Sequence, residues 1–311
     1  MRLPVAVMSI LVAVSGAGAL AQRPDGYVVP RTEYGQPDFQ GIWKTEFLTT
    51  LERMPGADGL TVTPEQARKL AEAFLEKSPV LTDPDTKILG LDQLAKVNGE
   101  YRTSLIVDPP DGKMPLTPAG TERITRVQTR TKEKFDNPEE RSMGEQCLEN
   151  FTYAPLRSIP VMLTRQVVQT RDYVLISGED IPGPRIIHLR PAVLPDWQRT
   201  IAGYSAGHWE GDTLIVETTH LLAAEPIRAA ATRALAISPR TTITERFTRV
   251  SPTELFYRFT VRDDELYTRP WSGEFSLTRE DGPIYEYACH EANYSMTNML
   301  RGGRVQDKEA K

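Results

Sequence analysis

The segment from Tyr204 to His220, YSAGHWEGDTLIVETTH, restricts the fold more than any other stretch of the chain. Gly211-Asp212 carries turn chemistry, and Thr213 to Thr219 is a β-branched run suited to a pleated, half-buried surface. A two-residue loop sets Glu210 opposite Thr213 and His208 opposite Ile215. Side chains alternate along a strand, so His208, Glu210, Ile215 and Glu217 share one face. Trp209, Leu214, Val216 and His220 share the other. A slip of one residue would exchange the two sets.

The hairpin is one of a series. From about residue 160 the chain reads as strands at Val161–Gln169, Tyr173–Ser177, Arg185–Leu189, Thr213–Thr219, Thr241–Val250, Glu254–Arg262, Trp271–Thr278 and Ile284–Glu291. Gly, Pro or Asp marks several of the breaks. Most strands are polar on one face and apolar on the other, as antiparallel sheets with one buried face require. The expected fold is mainly β: an antiparallel lipocalin-like barrel or related sandwich over residues 160–311, with N-terminal helical decoration. Residues 22–159 form an extended and helical region packed on that sheet, within one structural unit.

Two helices are expected in this N-terminal region. Thr63 is an N-cap, Pro64 takes the first helical position and Gln66 completes a capping box. Ala67, Leu70, Ala71, Phe74 and Leu75 give that helix one apolar face, and Ser78-Pro79 ends it. The second starts at Thr117-Pro118, with Ile124 and Val127 as its few apolar positions. Between them, Arg102 to Val107 reads as a short strand. Leu221 to Ile237, Ala-rich between strands, is either a short helix or a flap over one barrel end.

Residues 1–21 read as an export signal. Arg2 is positive, Val5 to Val14 is apolar except for Ser9, and Ala19-Leu20-Ala21 is a small-x-small cleavage site. That apolar core is too short to span a bilayer comfortably, and no later run approaches the length needed. The mature chain is therefore expected in the periplasm or outside the cell, without a membrane span. A net charge of −5 and the lack of a basic stripe argue against a nucleic-acid partner. In an oxidising compartment the two cysteines, Cys147 and Cys289, most simply form one disulfide. The alternative is a reactive Cys289 helped by His290 and Glu291, but adjacent strand residues face opposite ways.

Several motifs occur together: RTSLIVDPPDG at 102–112, RIIHLR at 185–190, GHWEGDTLIVETTH at 207–220, ERF at 245–247 and YEYACHEANY at 285–294. In this order they resemble a large family of secreted bacterial proteins, and the similarity spans most of the mature chain. The resemblance implies an exported, β-rich single module and assigns no activity residue by residue. Gly41-Ile42-Trp43 at the start of a first strand also resembles lipocalin-like barrels, in which the Trp plugs one barrel end.

Chemistry is expected from the histidines, of which there are four. His208 and His290 are the candidate acid–base pair, with Glu210 or Glu286 orienting one of them. His188 and Arg190 are expected to bind substrate, together with Tyr204 and Trp271. The reading is a cofactor-independent lyase, isomerase or hydrolase acting on a small molecule. In a metal-dependent alternative, His188, His208 and His290 become ligands, although the chain has no His-x-His or His-Glu-x-x-His. In a binding-module alternative, Phe256, Tyr257, Phe259, Tyr267, Trp271 and Phe275 line a ligand cavity. The same aromatics equally suit a filled core. Ser205, Ser272 and Ser295 lack a nucleophile-elbow sequence.

Overall fold

The hairpin forms in the expected register, with Glu210 paired to Thr213 and His208 to Ile215, and Gly211 takes φ +59° at its turn. Asp212 beside it is held by Arg23 at 2.6 Å and Arg31 at 2.5 Å, so the N-terminal segment is strapped across this turn. The computed structural model describes residues 23–24, 26–77, 93–133, 135–142, 145–148, 152–156, 158, 163–179, 183–222, 235–286, 288–289, 291 and 294–309. The export signal and most of the Leu221–Ile237 segment lie outside these described residues.

In chain order the elements are β1 (Gly41–Thr45), β2 (Thr61–Val62), α1 (Pro64–Glu76), β3 (Lys96–Val97), β4 (Glu100–Arg102), β5 (Ile106–Asp108) and α2 (Pro118–Glu133). There follow β6 (Leu163–Gln169), β7 (Tyr173–Gly178), β8 (Arg185–His188), β9 (Tyr204–Glu210), β10 (Thr213–Thr219), β11 (Thr242–Ser251), β12 (Glu254–Arg262) and β13 (Trp271–Glu280). Helix α3 (Ser295–Glu309) comes last. Strands β6 to β13 pair in sequence, and β1 lies between β6 and β13 to close a nine-stranded barrel. Strand β5 adds to β13, while β2, β4 and β3 form a separate small sheet.

The barrel is mixed rather than wholly antiparallel, because β8 and β9 are parallel. Residues 189–203 join them without a helix. A loop of hairpin length would return the chain antiparallel, whereas a connection this long can carry it back to the end where β8 began.

Alternation decides what the barrel holds. Trp43, Ile187, Val216, Tyr257, Phe259, Trp271 and Phe275 point inward and are almost completely buried. The strand aromatics mostly fill a core; Phe256 instead packs outside with Val97 and Val250. A charged group lies among them. Arg185 on β8 pairs with Glu245 on β11, and Tyr257 Oη donates to Glu245 at 2.8 Å. Trp43 sits at the β1 seam, donating its indole N–H to the Phe39 carbonyl at 2.8 Å beneath the guanidiniums of Arg249 and Arg279.

Helix α1 has the expected Thr63 cap and capping box. Ala67 and Ala71 pack with Leu48, Met54 and Leu94 in a second cluster outside the barrel. In α2 the two expected apolar positions, Ile124 and Val127, are buried. The strand expected over Arg102–Val107 splits in two. Thr103 is captured by the Gly59 and Leu60 carbonyls, and the chain then passes from the small sheet to β13.

The strand expected over Ile284–Glu291 does not form in the described part of that stretch. Residues 283–286 and 288–289 are irregular, and the Cys147–Cys289 disulfide anchors them instead. Helix α3 then follows, unforeseen because Gly302 and Gly303 weaken the helical signal.

Gly41 opens β1 at φ +126°, and a Cβ there would lie 2.6 Å from the Arg279 guanidinium. Gly41→Ala is expected to lower unfolding stability by about 1–3 kcal/mol through combined strain and displacement of Arg279. Urea unfolding of the variant checks this, and an unchanged midpoint would contradict it.

Candidate functional site

Inward and outward positions alternate along β9, with Ser205 and Gly207 buried and Tyr204, Ala206 and His208 facing out. Ala206 pairs with His188 on β8 and with Glu217 on β10. A methyl group is therefore bordered by four larger side chains: His188 and Glu217 across the sheet, Tyr204 and His208 along the strand. With strands about 4.8 Å apart, the backbones of His188 and Glu217 stand roughly 9–10 Å from each other. The result is a shallow depression on the outer face.

One side of it is aromatic. The His188 ring stacks on Tyr204 with centroids 4.7 Å apart and meets Tyr173 edge-on at 5.4 Å. Desolvation lowers the His188 pKa below its ordinary value, so this imidazole is neutral at pH 7. Tyr204 is fixed at its far end, where its oxygen accepts the Ala192 N–H at 2.8 Å. That bond ties the 189–203 connection to the Tyr204 ring, with the neighbouring Val193 almost fully exposed.

The other side is charged. His208 Nε2 lies 3.3 Å from Glu210 Oε1, and Arg246 Nη1 lies 3.3 Å from the second carboxylate oxygen. His208 and then Arg246 hold the Glu210 carboxyl below the usual carboxylate range. The hairpin thus delivers the His–Glu pair expected of it, but in the open: the His208 side chain is 63% exposed.

The remaining candidates fall elsewhere. Arg190 is exposed and ion-pairs with Asp172 at 2.9 Å. Trp271 is fully buried in the barrel, edge-on to Phe259 and Tyr267, and presents no surface to a ligand. Glu286 is exposed on irregular chain, and His290 lies outside the described residues. Cys147 and Cys289 form the disulfide, so Cys289 is not a free thiol. Among the described residues no group of three or more His, Cys, Asp or Glu side chains is gathered as metal ligands would be.

His220 departs from the expected alternation. Strand β10 ends at Thr219, and His220 takes φ +54°, which releases its ring from the inward face. The ring packs edge-on to Tyr204 at 6.4 Å, with Nδ1 2.8 Å from Thr219 Oγ1 and Nε2 buried without a hydrogen-bond partner among the described residues. Tyr204 is thereby flanked by two imidazoles. Strand periodicity hid this residue, because nothing in Thr219-His220-Leu221 marks the backbone reversal.

His208→Ala is expected to change unfolding stability by less than about 1 kcal/mol, since an exposed ion pair contributes little. Thermal or urea unfolding measures it, and a loss above about 2 kcal/mol would show a buried structural role instead. Comparison of the chain with protein families, with curated proteins and with solved structures returned no significant match in any of the three.

Proposed function

We propose that this chain is an exported small-molecule-binding barrel of lipocalin-like type that takes its ligand on the outer face around Ala206. The observation that carries the reading is the ring of His188, Tyr204, His208 and Glu217 around one small residue. A stacked imidazole–phenol pair offers an apolar face to a planar or pyranose ring. Glu217, His208 and the Glu210–Arg246 pair offer hydrogen-bonding groups to its edge. The filled interior supports an external site, because a ligand inside would have to displace Tyr257, Phe259 or Phe275. The disulfide, the expected leader and the family-like motifs support export.

Acid–base catalysis is the second reading, favoured by the His208–Glu210 contact. In it His208 accepts a proton from the bound molecule, Glu210 steadies the imidazolium, and the same imidazolium returns that proton to another atom of the ligand while the neutral His188 hydrogen-bonds to it. The open position of His208 favours binding over turnover, since little there excludes water.

Thermal-shift and calorimetric titration with small aromatic and carbohydrate-derived compounds tests both readings, with product analysis of the same mixtures. Binding without product is expected. His188→Ala and Tyr204→Ala should each weaken it about fivefold, in line with a lost stacking contact of about 1 kcal/mol. Binding indifferent to both substitutions would overturn the outer-face site. Product formation lost in His208→Ala would establish the enzyme.

A further inference from the structure

We propose a second binding site, separate from the outer-face depression, for an anionic amphiphile such as an aliphatic carboxylate. Between α1 and residues 50–55 lies a cavity of about 590 Å³. This volume falls within the usual range for small-molecule sites. Met54, Leu70 and Phe74, which belong to or pack on the small cluster outside the barrel, give the lining an apolar part. Arg53, Lys77 and Lys113 give it a cationic part. The two parts suit two ends of one molecule, a hydrocarbon body and a negative head.

The state of Arg53 gives the head its place. Among the described residues its guanidinium is held by neutral acceptors, the Pro110 carbonyl at 2.8 Å and Ser104 Oγ at 3.5 Å. It lies against Gly112, where a Cβ would come within 2.9 Å of Arg53 Nε. No carboxylate pairs with Arg53, Lys77 or Lys113 among the described residues. Glu52, the acidic residue on the lining, accepts the Met114 N–H at 3.0 Å. Among the described residues the lining sets Arg53, Lys77 and Lys113 against the single carboxylate of Glu52, which leaves it net positive. A guanidinium fixed by neighbouring neutral groups is pre-set for a carboxylate fork.

The experiment uses the full mature chain and a dansyl-labelled undecanoic acid as fluorescent probe. The probe is displaced by dodecanoate, dodecanol or dodecyltrimethylammonium, each below its micellar concentration. Dodecanoate should displace it at least about tenfold more tightly than dodecanol, the step expected from a charge-assisted bond, and the ammonium should not compete. Arg53→Gln should remove most of the difference between acid and alcohol, and the exposed Lys113→Gln part of it. Ala73→Phe, which fills the cavity from a solvent-facing helix position, should abolish binding of both while leaving the melting temperature near that of the parent. Equal affinity for acid and alcohol, or full binding by Ala73→Phe, would overturn the proposal, as would absence of saturable displacement. Each of those failures leaves the outer-face reading untouched, because the two sites share no residue.

Discussion

The barrel depends on a guanidinium and a carboxylate that water does not reach. Arg185 and Glu245 are 2% and 0% exposed, and removing such ions from water costs several kcal/mol each unless their hydrogen bonds are replaced. Here the replacement is thorough. Arg185 donates to both Glu245 oxygens, to Ser205 Oγ at 3.1 Å, to Thr218 Oγ1 at 3.0 Å and to the Thr152 carbonyl at 3.4 Å. Glu245 also receives the Tyr257 hydroxyl, whose oxygen accepts the Leu156 N–H at 2.8 Å. Burial pulls the Arg185 pKa down, but Glu245 outweighs it and holds the guanidinium charged. Burial, and then Glu245, push the Tyr257 pKa well up, so its proton stays on as a donor.

This network joins β8, β9, β10, β11 and β12, and it spans the β8–β9 seam where the sheet turns parallel. It also ties residues 152–156 to the barrel. Aromatic and aliphatic side chains together fill the rest of the interior, which leaves the outer surfaces for recognition. Two such surfaces differ in chemistry. The face around Ala206 is aromatic and hydrogen-bonding, while the cavity beside α1 is apolar and positive. The first is carried by barrel strands β8, β9 and β10, the second by α1 and residues 50–55 in the cluster outside the barrel.

Much of this order was readable from the residues, and the failures have physical causes. The Gly211-Asp212 turn fixed the hairpin register, and with it the shared face of His208, Glu210, Ile215 and Glu217, because strand alternation is strict. Thr63-Pro64-x-Gln66 fixed the start of α1. The parallel seam was hidden since periodicity shows that a strand exists and not which way it runs; the length of residues 189–203 was the one available sign. Trp271 was drawn toward a ligand role by its aromatic character, but β13 turns that position inward. Arg185 and Glu245 were passed over because charged residues in alternating strands read as solvent-facing. Only the register, which places both on the inner face, makes them partners. His220 escaped because a left-handed residue at the end of β10 breaks the alternation used to place it.

A double-mutant cycle on Arg185 and Glu245 tests the central claim most directly. Arg185→Met, Glu245→Gln and the double variant are compared by urea unfolding, with the disulfide intact and the unfolding slope monitored. Each single change strands a buried charge and should cost about 3–5 kcal/mol. The double variant should cost no more than either single change, giving a coupling of about 3 kcal/mol or more. Additive losses with coupling near zero would contradict a barrel organised around this pair.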